Sequence, residues 1–107
     1  MSFSASLATI ADEARITLSG QLDASVSMTF QKAIEDAMAA NPKRLVLFMN
    51  ELTYMASAGL RVLVFAKQKM GSAVSLYIVG SQGPVLHTLE LSGFARSVYI
   101  QDAYAPQ

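Results

Sequence analysis

The 107-residue chain carries 8 basic and 8 acidic side chains, a formal net charge of zero, with 52% hydrophobic and 15% charged residues. That length suits one domain able to bury a core without metals or crosslinks, and the composition is too apolar for disorder. The charge balance excludes a basic footprint for nucleic acid or for an anionic membrane, and the absence of cysteine excludes disulfides and thiolate metal sites.

The opening segment MSFSASLATI lacks the basic region and long apolar stretch of a signal peptide. The longest apolar runs, Leu45 to Met49 and Val62 to Ala66, fall far short of the ~20 residues a membrane span needs. The sequence therefore reads as a soluble, cytoplasmic protein with no membrane insertion. Phe3 to Ile10 alternates with a strand period, Phe3, Ala5 and Leu7 opposing Ser2, Ser4 and Ser6. Ala11, Asp12 and Glu13 make a polar turn. Ala14 to Leu18 alternates again, and Gly20 is expected to close this second strand of a hairpin.

A helix follows, with Val26, Phe30, Ile34, Ala37 and Met38 on one face. Asp23, Ser25 and Ser27 are candidate caps at its start, and Asn41-Pro42 ends it. Leu45 to Met49 has the continuous apolarity of a strand buried on both faces, implying helices on either side or a parallel neighbour. Asn50 to Met55 reads as a loop, and Ala58 to Met70 as a second helix closed by Gly71. Leu60, Leu63, Val64 and Phe65 are its apolar residues. Val74 to Val79 reads as a strand. Gly83-Pro84 opens a third helix with proline at its first position, Ser92-Gly93 stops it, and Val98 to Ile100 is a last short strand. The order predicts an α/β fold, a mixed four- to five-stranded sheet with helices packed on it, in a single domain over residues 1–107.

Signals for catalysis are nearly absent. The single histidine, His87, sits in the third helix without a local acid–base partner and reads as an ordinary helix residue. No phosphate-cradling glycine loop and no metal-ligand spacing occur, so neither cofactor nor metal is expected. The six methionines are scattered and suit core filling.

The segment from Leu52 to Leu63 joins the buried strand to the second helix. Ser57 falls where an N-cap belongs, its hydroxyl placed to accept from the amide of Gly59 or Leu60. Gly59 in the first turn would leave the helix end bare, so that a partner could approach the backbone. A phosphate on Ser57 would lie at the positive end of the helix dipole, leaving the fold intact while the surface gains charge. The simpler reading is that Ser57 caps the helix and does nothing more.

Tyr54-Met55-Ala56-Ser57-Ala58-Gly59-Leu60 resembles the signature loop of STAS domains, the fold of the bacterial anti-sigma factor antagonists. Gly20-Gln21-Leu22-Asp23 is similar to that family's Gly-x-Leu-Asp before the first helix, and Leu89 to Phe94 to the end of its third helix. The resemblance covers nearly the whole chain and implies a STAS fold. It also implies that Ser57 is the serine phosphorylated by an anti-sigma factor kinase. Asp23, Ser25, Met55, Ala56, Ala58, Gly59 and Arg61 become expected partner contacts, with capping as the other role open to Asp23. The chain departs from the pattern at Ala56 and at Phe48, the latter read as the end of the middle strand, where members commonly carry acids.

Two functions follow from the resemblance. In the first, the unphosphorylated domain binds an anti-sigma factor or related serine kinase and releases its target. Phosphorylation of Ser57 reverses this, and a serine phosphatase resets it. In the second, the domain is an accessory module binding a lipid or other small apolar ligand without phosphorylation. A catalytic role has no support.

Overall fold

The computed structural model describes residues 2–106. Strands β1 (Ser4–Ile10) and β2 (Glu13–Leu22) form the expected hairpin, paired antiparallel from Ser4↔Ser19 to Ile10↔Glu13. Then come α1 (Ser27–Met38), β3 (Arg44–Met55), α2 (Ser57–Met70), β4 (Ser75–Val79), α3 (Gly83–Leu91) and β5 (Tyr99–Gln101). The sheet has the order β1-β2-β3-β4-β5, and every pair after the hairpin is parallel. This is the mixed α/β sheet that the sequence predicted.

Strand alternation sorts the side chains to two unequal faces. Ala14, Ile16, Leu18, Leu45, Leu47, Met49, Leu76 and Ile78 point one way and meet Phe30, Ile34 and Ala37 of α1, Leu63 and Met70 of α2, and Val85 and Leu89 of α3. All three helices thus contribute to one core. Of the two expectations for the middle strand, the parallel neighbour holds, with β2 on one side and β4 on the other, and helices on either face do not. Val46, Tyr77 and Val79 pack on the other face as a separate cluster with Phe48 and Tyr104. Val46 is fully buried because the segment after β5 folds back over it, which explains the unbroken apolarity of this strand.

Tyr104 anchors that segment. Its hydroxyl donates to Glu13 Oε2 at 2.7 Å, and its ring meets Tyr77 and Phe48 edge-on. The Arg15 guanidinium lies 5.3 Å from the ring centroid. Glu13 is buried and also accepts from Arg15 Nε and Nη2 and from Arg44 Nε, at 3.0–3.1 Å. The Tyr104 hydrogen bond first, then the two arginines, hold its carboxyl below the ordinary range against the opposing effect of desolvation. A group with a lowered folded-state pKa stabilises above its unfolded value, near 4.3, and loses that contribution as pH falls through the folded value. Glu13→Gln should therefore cost about 2 kcal/mol at pH 7, since one amide oxygen cannot serve both arginines and Tyr104. The gap from wild type should narrow in urea unfolding repeated near pH 3. An equal gap at both pH values would place the stabilisation elsewhere.

Several boundaries differ from expectation, three of them by more than a residue or in the role of a named residue. Gly20 does not close β2, which runs on to Leu22 through irregularities between Thr17 and Ser19 and between Gly20 and Gln21. Gly20 has φ +87°, and a Cβ there would run into the Ser2 carbonyl, so the glycine serves a kink within the strand. Asn50 to Met55 is not a loop but the second half of β3, held by pairing Ser19↔Glu51, Gly20↔Leu52, Gln21↔Tyr54 and Leu22↔Met55. Phe48 consequently lies inside β3 rather than at its end. In α3, Gly83 is the first residue and Pro84 the second.

Candidate functional site

The C-terminal ends of β2 and β3 lie side by side, with Leu22 opposite Met55. The Ala56 amide donates to the Leu22 carbonyl at 2.8 Å, and Thr53 Oγ1 donates to the Gly20 carbonyl at 3.1 Å. These bonds bring Asp23, which follows Leu22, next to Ala56 and Ser57. Segments more than 30 residues apart in sequence thereby form one rim at the C-terminal edge of the parallel strands.

Asp23 caps a 3-10 helix over Ala24–Val26. Its Oδ1 accepts from the Ser25 amide at 3.0 Å and from the Ser25 hydroxyl at 2.6 Å. The hydroxyl bond is the main reason its carboxyl lies below the ordinary value. Asp23 thus caps this short helix rather than α1. Val26, expected on the α1 face, belongs to the same turn and packs at the margin of the core.

Ser57 is not the N-cap of α2. Ala56 occupies that position, extended at φ −77° and ψ 164°, and its carbonyl accepts from the amides of Gly59 at 3.0 Å and Leu60 at 3.2 Å. Ser57 is the first helical residue. Its side chain is exposed and makes no capping hydrogen bond. The displacement by one residue changes the chemistry, because a capping serine spends its hydroxyl on a backbone amide whereas this one is uncommitted. The first turn of α2 has no acidic side chain, so its amides and dipole face outward without a compensating charge. Arg61 is exposed one turn further along the same side of the helix.

Two expected contact residues are buried instead. Met55 is 4% exposed, and Gly59 packs on Leu22, where an added Cβ would come within 2.8 Å of Leu22 Cδ2 and Cγ. Gly59 therefore permits close packing of α2 onto β2 rather than access from outside. Ala56 and Ala58 are partly exposed, and Ser25 is exposed. Tyr54, two residues before Ala56, is 45% exposed and joins this rim. Its alternation with buried Met55 would have signalled the exposure had the segment been read as strand.

Phe48 does not belong to the rim. It projects from the helix-free face against Tyr104, several residues before the strand reaches Ser57. His87 is exposed on α3. Among the described residues no cluster of His, Cys, Asp or Glu could hold a metal ion, and no helix is long and apolar enough to cross a membrane. A separate groove of about 500 Å³ lies between α1 and α2, lined by Ile34, Met38, Val62, Phe65 and Met70 among others. Phe65, one of the apolar residues of α2, is largely exposed on its wall.

Comparison with known proteins agrees with this architecture. An anti-sigma-F factor antagonist, RsfB of Mycobacterium tuberculosis, is 25% identical over 92 residues, covering 83% of this chain and 75% of its own. The crystal structure of an anti-sigma factor antagonist from Mycobacterium paratuberculosis superposes with a TM-score of 0.88 at 19% identity, covering 95% of this chain and 87% of that one. The Bacillus cell fate determinant SpoIIAA, solved in its phosphorylated form, superposes with a TM-score of 0.71 at 15% identity, covering 91% and 90%. Residues 6–105 match the STAS domain, a span from the first strand through the Tyr104 anchor. With that match and the same sheet-and-helix architecture, the chain belongs to the STAS domain family.

Proposed function

We propose that this STAS domain is an anti-sigma factor antagonist whose rim of Asp23, Ser25, Tyr54, Ala56, Ala58 and Arg61 binds an anti-sigma factor. Its serine kinase activity would phosphorylate Ser57 to break the complex, and a serine phosphatase would restore it. The observation that carries the reading is the exposed, uncommitted Ser57 hydroxyl at an uncapped helix start. A kinase can reach this oxygen without unfolding anything, and the resulting phosphate meets free amides and the positive end of the dipole. The named relatives support the antagonist role, and phosphorylated SpoIIAA shows that a protein of this fold accepts the modification.

The test is incubation with a purified anti-sigma factor serine kinase that binds this domain, with ATP and magnesium. One phosphate is expected, mapped to Ser57 by mass spectrometry and lost in Ser57→Ala. Phosphate on Ser25 or Thr53 would refute the assignment.

The groove between α1 and α2 favours a second reading, a module that holds a small apolar ligand. It runs beside the second half of α2, so Phe65 on its wall is about 12 Å along the helix from Ser57. Apolar ligand copurifying with the protein and lost in Phe65→Asp, with no phosphorylation by any neighbouring kinase, would favour this module over the switch.

A further inference from the structure

The two edges of the sheet are unequal. β5 is only three residues long, and the segment after it folds back so that Gln101 both donates to the Ala105 carbonyl and accepts from the Ala105 amide. That edge is short and strapped. β1 is the opposite edge, seven residues of SASLATI in unbroken register with β2. Edge strands that stay solitary usually carry a lysine, a proline, a bulge or an inward charge. β1 carries none of these, and it presents Leu7 and Ile10 at 40% and 51% exposure.

We propose that a second copy of this chain pairs antiparallel with β1, joining the two sheets edge to edge about a twofold axis. The strand is self-complementary. With seven residues the longest overlap centres on Leu7, which then faces Leu7 of the second copy, while Ser4 faces Ile10, Ala5 faces Thr9 and Ser6 faces Ala8. No pair sets like charges opposite one another, because β1 has no charge at all. Leu7 is on the same side of the sheet as its partner Ile16 and the helices, so the central pair is buried over the α1 layer.

The helix beside β1 fits the same symmetry. A recess between β1 and α1 is lined by Ala5 and, among others, by Met28, Lys32, Ala33, Glu35 and Asp36. Lys32 and Asp36 form an exposed ion pair one turn apart, and Met28 is 71% exposed. A twofold axis sets the two α1 helices antiparallel, which brings Lys32 of each copy toward Asp36 of the other. The surface carries both signs, and a second copy presents an acid to each Lys32 and a base to each Asp36. The interface is centred on Leu7 at the β1 edge, and does not depend on the switch.

The chain's lack of cysteine makes the test direct. Residues facing across an antiparallel pair lie about 4.5–5.5 Å apart at Cα, within the range a disulfide spans. Leu7→Cys should oxidise in air to a covalent dimer, whereas exposed Arg61→Cys should stay mostly monomeric. By sedimentation, wild type should be a dimer at about 100 µM, and Leu7→Lys should associate at least tenfold more weakly. An equimolar mixture of Leu7→Lys with Leu7→Glu should recover the dimer. If Leu7→Lys fails to fold, as judged by circular dichroism, the Leu7→Cys crosslink decides. A monomeric wild type at millimolar concentration would overturn the proposal, as would a dimer that folded Leu7→Lys leaves intact.

Discussion

Ser57→Asp should weaken binding to the anti-sigma factor roughly 30-fold, about 2 kcal/mol, while the thermal midpoint stays level or rises. The two halves of that expectation come from the same place in the fold. Ser57 is the first residue of α2, with no acid in the first turn and no side-chain cap. A carboxylate there interacts favourably with the dipole, by about 0.3–1 kcal/mol. A partner surface shaped around a neutral hydroxyl instead meets a charge that it must desolvate without a counterion. Isothermal titration with wild type, Ser57→Ala and Ser57→Asp separates charge from shape. Ser57→Ala should bind almost as wild type. Equal affinity for all three would mean that the rim is not the binding surface. A fall in midpoint for Ser57→Asp would mean that the hydroxyl is structural after all.

The order of elements was legible because each is specified locally. Strand alternation in β1 and β2, the helical spacing from Phe30 to Met38, Asn41-Pro42 and Gly71 are all signals within a few residues of what they control. The errors occur where a distant segment decides. Asn50 to Met55 is polar enough to pass for a loop and is a strand only because β2 continues beside it. Glu13, apparently part of a turn, becomes a buried anchor through Tyr104, 91 residues later. The candidate site was legible as a segment but not in its roles. The carbonyl that receives the first helical amides belongs to Ala56, and no property of the alanine side chain announces it.

Gly59 shows this division most clearly, and it yields the second large effect. Gly59→Val should destabilise the domain by about 3 kcal/mol. The sequence alone suggests the opposite sign, since replacing a helical glycine by alanine gains up to ~1 kcal/mol of propensity. But any Cβ at this position comes within 2.8 Å of Leu22 Cδ2 and Cγ and 3.3 Å of Met55 Cγ. Leu22 is fully buried, so it cannot swing away, and overpacking of this kind costs about 1–3 kcal/mol even for small additions. Leu22→Ala alone should cost about 3 kcal/mol by leaving a cavity. In the double variant the valine methyls occupy the space that Leu22 vacates. The combined loss in urea unfolding should then fall short of the sum by at least ~1 kcal/mol. Strict additivity would mean that the two residues do not touch in solution. Unchanged stability for Gly59→Val with lost anti-sigma factor binding would restore Gly59 to the partner surface and contradict the packing of α2 against β2.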